Sequence, residues 1–349
     1  MTMLSLRAYT WFLARRLGLV ILTLWGLATL VFLMIKMMPG DEAQMAAGPD
    51  ASPAQIEAVR ERLGLDAPVI IQYFKFLGRL LHGDLGTSIV TLQPVLSDLE
   101  RVLPSTLELV FFAMVLNLLV AIPVGIIAAY RQGGVFDMIC RVGASMLGGM
   151  PAFWLALVLQ YVMGSVWRVV PISGQQRFGV SSPNVTGAPT LDAILAGNFT
   201  GFTDALHHII LPASVLAALF ATQIFRTLRA SLLGVLRSDF IVAVRAKGAS
   251  SRHMLVRHAL PNSINPVLTL SGTQAGAMIG SAVLVETVFA RRGIGAYMFE
   301  AVAQKDSFAV LGSVMFIGTV VCLVNLVVDL LQILVDPRIR ASQLGSQTQ

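Results

Sequence analysis

Six apolar runs, each of bilayer-crossing length, alternate with polar segments along the chain: Phe12 to Ile35, Ser105 to Tyr130, Arg141 to Val166, Leu206 to Leu228, Ile264 to Val288 and Phe308 to Val335. At a rise of about 1.5 Å per residue, about 20 residues cross the hydrocarbon core, so each run predicts one transmembrane helix. Pro266 falls in the first turn of the fifth run, where its missing N–H removes no helical bond, and Pro212 lies near the start of the fourth. The first run, with Arg7, Arg15 and Arg16 at its start, has the charged opening of a signal peptide. Its length and the lack of a small-residue cleavage site predict a retained helix instead. The expected fold class is therefore an all-α integral membrane protein with six transmembrane helices.

The polar segments differ in kind. Met38 to Pro104 is long enough for structure of its own. Ser52 followed by Pro53 starts a helix that Gly64 ends, and a second helix is expected from Pro68 to Leu81, with Ile70, Ile71, Phe74, Leu77, Leu80 and Leu81 as its apolar stripe. That stripe either packs on the end of the bundle or lies on the lipid surface. Val169 to Ala205, rich in Gly, Pro, Ser, Thr and Asn, reads as an irregular loop with a short helix from Leu191 to Leu195. The chain thus divides into an N-terminal transmembrane helix (1–37), an external helical segment (38–104), a core domain of five transmembrane helices (105–335) containing a cytoplasmic loop (229–263), and a cytoplasmic tail (336–349).

Composition agrees with a membrane protein. A content of 56% hydrophobic and 13% charged residues, with mean hydropathy +0.76, leaves too little polar surface for a soluble globule of 349 residues. The net charge of +6 does not indicate nucleic acid, because the basic residues are scattered between bilayer-length runs. They are also unevenly shared. With the N-terminus inside, the cytoplasmic segments hold 14 basic residues against three acidic, and the external segments 11 basic against 15 acidic. The positive-inside rule therefore places both termini in the cytoplasm. Cys140 lies near the cytoplasmic end of the third run and Cys322 in the middle of the sixth, and they are not expected to pair.

The most informative stretch is the basic segment Asp239 to Pro261 between the fourth and fifth runs. Ser238 or Asp239 can cap a first helix that Gly248 ends, and Ser250 or Ser251 can cap a second that stops near Pro261. Two-turn helices are marginal alone and need support from the bundle or from a partner. Ala243, Gly248, Leu260 and Pro261 have the spacing of the cytoplasmic loop of ABC importer permeases. Arg245-Ala246-Lys247-Gly248 and His258-Ala259-Leu260-Pro261-Asn262 resemble the dipeptide, oligopeptide and nickel branch of that family. Val242 stands where many importers place Glu. Further matching segments are Leu63 to Asp66, Gly83 to Ser88, Leu103 to Leu109, Met150 to Leu155, Glu286 to Phe289 and Asp336 to Arg338, so the resemblance spans nearly the whole chain.

That resemblance implies a type I ABC importer permease fold in the bacterial inner membrane. It also implies a heterodimer with a homologous permease, two ABC ATPases on the cytoplasmic side that bind ATP-Mg, and an external solute-binding protein. Asp239, Ala243, Arg245, Ala246, Lys247, Gly248, Arg252, Arg257, His258, Leu260 and Pro261 would then form the ATPase-coupling loop. Selection of the solute within such a family rests largely with the binding protein. A self-sufficient secondary transporter or channel is the alternative, predicting internal repeats and coupling carboxylates. No repeat is evident in the sequence.

No phosphate-cradling Gly-x4-Gly-Lys-Ser/Thr and no His-Glu-x-x-His zinc motif occurs, so neither catalytic residues, a bound cofactor nor a metal is expected. Leu270-Ser271-Gly272 lacks the preceding glycine of an intramembrane serine protease site. Polar residues within the runs are expensive there and mark either interhelical hydrogen bonds or a path for solute. Asn117, Gln160, Gln223, Gln274 and Asn325 are the uncharged candidates for a translocation path, and Asp329 is placed to pair with an inward-facing arginine. Gly272, Gly276 and Gly280 share one face of the fifth run, as Ala144, Gly148 and Ala152 do in the third, a pattern that lets helices approach closely. Arg291 and Arg292 are external, and either meet a docking protein or anionic solute or pair with Glu286 or Glu300.

Overall fold

A computed structural model describes residues 3–335 apart from 38–40, 49, 50 and 181. The expected tail, with Asp336-Pro337-Arg338 and Arg340, lies outside the described residues. The chain is a helical bundle, and its elements run α1 (Met3–Met37), α2 (Glu42–Ala47), α3 (Pro53–Leu63), α4 (Val69–Leu81), α5 (Val95–Tyr130), α6 (Val135–Gly149) and α7 (Ala152–Leu159), which continues as a π-helix over Gln160–Val166. There follow α8 (Pro189–Leu195), α9 (Phe199–Leu236), α10 (Asp239–Ala246), α11 (Ser251–His253) with a π-helix over Met254–Ala259, α12 (Leu260–Ser263), α13 (Asn265–Val288), α14 (Ile294–Ala303) and α15 (Ser307–Val335).

The longest helices, α5 and α9, pack against each other and against α13 around a core that includes Leu109, Ala113, Ile209, Leu216, Met278 and Ala282. Both outrun the bilayer. α5 begins ten residues before the expected Ser105 and carries Pro104 and Pro123 within it, and α9 extends beyond Leu206 to Leu228 at both ends. Helix α1 lies outermost, held to α15 by Arg16, which meets Asp329 at 2.7 Å. An arginine partner was expected for that carboxylate, and the structure identifies it as Arg16.

The third apolar run is not one straight crossing. It divides into α6 and α7, which meet at 111°. Pro151 has no N–H to continue the ladder, and Met150 before it is extended (φ −84°, ψ 135°), as a residue preceding proline prefers. The bundle thus has five helices long and apolar enough to cross a membrane, and a sixth crossing if the bent pair counts as one, among the described residues. Ala144 and Gly148 do pack closely, against Phe225 and Thr222 of α9, whereas Ala152 lies beyond the bend.

In the external segment, Ser52 and Gln55 close a reciprocal cap on α3, and Gly64 ends that helix in the left-handed region (φ +66°). The stripe expected on α4 splits. Leu77 and Leu80 pack with Tyr73 and Phe76 on α1 and α15, but Ile70, Ile71, Phe74 and Leu81 are exposed. Apolar residues cover more of this helix than one packing face, so their spacing alone does not say which half is buried.

Candidate functional site

The Asp239–Pro261 segment lies at the end of the bundle where α5 stops and α6 starts. Ser238 begins α10 with extended backbone, but its hydroxyl donates back to the Val235 carbonyl (2.7 Å) and makes no cap bond to α10. Gly248 adopts φ +79°, the left-handed turn that lets the chain double back. Ser250 is the cap of the second helix, accepting from the His253 amide at 3.4 Å. That helix does not stop at Pro261. A π-turn over Met254–Ala259 shifts its phase, Pro261 enters the first turn of α12, and only Ile264 separates α12 from α13. The Asp239–Pro261 segment is therefore almost continuous with the fifth span.

One face of this pair is fixed to the bundle. Ile241, Met254 and Ala259 are buried with Ala129 of α5 and Leu232 of α9. Beside them, Arg229 of α9 grips the buried Asp137 of α6 at 2.6 and 2.7 Å, while the Gly133 amide donates to the same carboxylate. The other face is open: Phe240, Val242, Ala243, Arg245, Ala246, Lys247, Arg252, Arg257 and Pro261 are exposed. The rings of Phe240, His258 and His253 adjoin one another along it, and the Arg245 guanidinium donates to the Met254 sulfur at 3.2 Å. Exposed apolar groups rimmed by four cations form a surface suited to a protein partner.

The polar candidates fall into separate groups. Asn117 of α5 donates to the Gln274 carbonyl of α13 at 2.9 Å, and Gln274 donates to the Phe220 carbonyl (3.0 Å) and to Gln223 (3.3 Å) of α9. This strip runs from the fully buried Asn117 to the exposed Gln223. Asn325 lies on α15 against Gly276, and its Oδ1, like that of Asn117, is buried without a protein donor. Gln160 stands apart, donating to the backbone carbonyls of Ile172 (2.6 Å) and Val288 (3.3 Å).

The glycines of α13 also differ. A Cβ on Gly276 would lie 2.6 Å from the Asn325 carboxamide, whereas one on Gly280 would meet nothing within 4 Å. Gly276→Ala is expected to destabilise the chain by about 1–3 kcal/mol, as overpacking does. Gly280→Ala is expected to stabilise it by about 0.5–1 kcal/mol, since it removes the helix penalty of glycine without crowding. Thermal unfolding of the two variants in detergent checks this, and equal effects would contradict it.

The opposite end of the bundle holds a buried polar knot that sequence reasoning missed in part. Arg291, 1% exposed, is paired with Glu108 of α5 at 3.1 Å, not with Glu300, and Glu108 also accepts from the amide (2.7 Å) and hydroxyl (2.5 Å) of Thr190. Burial pulls the Arg291 guanidinium below its ordinary range, and the carboxylates of Glu108 and Glu286 oppose that. Glu286 accepts from the Gly295 amide (2.8 Å), and the Ile294 amide donates to Thr106 (3.0 Å). Gly293 and Gly295 are needed here: a Cβ on Gly293 would strike the Glu286 carboxylate, and one on Gly295 the backbone of Val283. Nearby, Asp306 accepts from Ser88 (2.7 Å) and Ile89 (2.8 Å), tying the Gly83 to Ser88 segment to α15. A charged residue within an apolar run was the available signal for Glu108 and Glu286. Arg292, by contrast, is exposed.

An all-α bundle of bilayer-length helices, with a polar strip inside it and a cationic helical pair at one end, is the architecture of a multi-pass membrane protein. Residues 121–341 match the family described as "Binding-protein-dependent transport system inner membrane component", and residues 9–110 match its N-terminal companion. The chain is 37% identical over 326 residues to the dipeptide transport system permease protein DppB of Alkalihalophilus pseudofirmus, covering 93% of this chain and 98% of that one. It is 38% identical over 334 residues to the Escherichia coli protein of the same name (94% and 98%), and 39% over 320 residues to the probable D,D-dipeptide transport system permease protein DdpB of E. coli (91% and 94%). The chain belongs to this family and is a multi-pass inner-membrane permease subunit of an ABC importer.

Proposed function

We propose that this chain forms half of the translocation path for di- or oligopeptides, with the Asp239–Pro261 segment as the lever through which partner ATPases drive it. The observation that carries this reading is the two-faced geometry of the segment. Its buried face (Ile241, Met254, Ala259) is packed into α5 and α9, its C-terminal end runs into α13, and its cationic face is open. A partner that grips the open face moves three spanning helices together, which is what a switch between inward-open and outward-open states requires.

In this reading two ABC ATPases bind ATP-Mg and hydrolyse it, one of them docking on Arg245, Lys247, Arg252 and Arg257. A second, homologous permease completes the path, and an external solute-binding protein delivers cargo. This chain itself binds no nucleotide or metal and has no catalytic residue. Both termini are cytoplasmic. Asn117, Gln223 and Gln274, with Asn325 behind Gly276, supply uncharged hydrogen-bonding groups along the path, and Gly280 on the open side of α13 faces the second permease. The relatives' names point to short peptides as cargo.

Phe240→Asp together with Val242→Asp alters only exposed positions. Co-purification of the assembled complex is the test. The expected result is loss of the ATPase subunits with the permease still folded, since two exposed apolar side chains that the docked ATPase would cover are replaced by charges. Full retention of the ATPases would contradict the docking assignment.

A further inference from the structure

We propose that α4 is an interfacial membrane anchor, lying in the lipid headgroup region at the C-terminal end of α1 with Ile70, Phe74 and Leu81 turned into the acyl chains. Each turn of this helix has two distinct apolar sides. The protein side is complete: Phe76 packs with Phe32 of α1, the Tyr73 and Thr29 hydroxyls are 2.7 Å apart, and Gln72 donates to the Leu65 and Ala67 carbonyls (2.7 Å each) while accepting from Lys36. At 100° per residue, Ile70, Phe74 and Leu81 project within about 40° of one another on a different side. They are 62%, 64% and 88% exposed. Beyond Ile71, at the edge of this apolar side, the helix turns polar at Lys75 and His82, so the surface is amphipathic across the exposed half.

The depth of α4 identifies lipid as the occupant. Its contacts on α1 fall at Thr29, Phe32 and Lys36, and α1 ends at Met37. Thr29 is therefore about 12 Å inside the end of a spanning helix. At the same depth Leu30, Leu33 and Met34 of α1 are exposed. The open arc of α4 thus continues a lipid-facing surface. A soluble partner docking from water would not reach that depth.

The test uses the assembled complex in nanodiscs of phosphatidylcholine and phosphatidylglycerol, with Cys140→Ser and Cys322→Ser removing the native thiols. An environment-sensitive NBD label is placed separately at Phe74→Cys and Leu81→Cys, at Leu33→Cys as the lipid reference, and at Glu61→Cys on α3 as the aqueous reference. The expected result is blue-shifted emission at 74 and 81, quenched about twofold by lipids spin-labelled near the headgroup, as at position 33 and unlike position 61. Quenching of 74 and 81 by aqueous iodide instead, or shielding from both quenchers by a covering protein, would overturn the proposal. Two independent exposed positions guard against one label disturbing the fold.

Discussion

Replacing Arg291 by methionine is expected to cost about 3–5 kcal/mol of stability, because it strands charge in the interior. Arg291 is 1% exposed and faces Glu108, itself buried, with Glu286 close behind. Methionine fills similar volume, so the loss is electrostatic: two carboxylates remain with no cation between them. The cost should reach the fold beyond that site, since Glu108 also anchors α8 through Thr190, and Glu286 seats the Gly293–Gly295 turn that starts α14. Adding Glu108→Gln should recover part of the loss by removing one of the stranded charges. Unfolding temperature in detergent for the single and double variants measures this. A single variant within about 1 kcal/mol of wild type, the range of an exposed pair, would show that the knot contributes little.

The second large effect is expected at Gly248. Its φ of +79° is one that residues with a Cβ rarely adopt, yet a Cβ there would touch nothing within 4 Å. The position therefore isolates backbone strain from crowding. Valine in the left-handed region costs about 1–2 kcal/mol or more, while asparagine tolerates it. A penalty of that size shifts the equilibrium of the turn by about 5–30-fold, away from the geometry in which α10 and α11 present a common face. Because the strain falls in the turn between α10 and α11 and not in the bundle core, Gly248→Val should, on the proposed coupling role, lower transport much more than stability.

The membrane spans were legible because burying bilayer-length apolar runs is a composition effect that a window along the chain registers. The bend at Met150–Pro151 was missed although Pro151 signals it, because both halves are apolar enough to read together as one bilayer-length run. The helix–turn–helix of the Asp239–Pro261 segment was legible from the serines at its helix starts and Gly248. Its continuation through Pro261 was hidden, because a π-turn over Met254–Ala259 lets a proline start a new helical stretch where it would ordinarily end one. Asn117, Gln223 and Gln274 could be flagged one by one as polar residues in apolar runs, but their meeting depends on how α5, α9 and α13 cross. The pairing of Arg291 with Glu108 joins positions 183 residues apart in sequence, with no local pattern linking them. On α4, the apolar spacing gave the helix but not which side faces the bundle, because packing against α1 and α15 decides that.

The central claim, that this segment transmits force from ATPase to spans, is tested most directly by ATP-driven uptake. The complete transporter is reconstituted in proteoliposomes with wild-type, Gly248→Asn or Gly248→Val chain, and bound ATPase is quantified in the same preparations. The predicted result is uptake near wild type for asparagine and reduced about tenfold for valine, the size of the strain expressed as an equilibrium shift. Wild-type uptake by Gly248→Val with its ATPases still bound would contradict the claim.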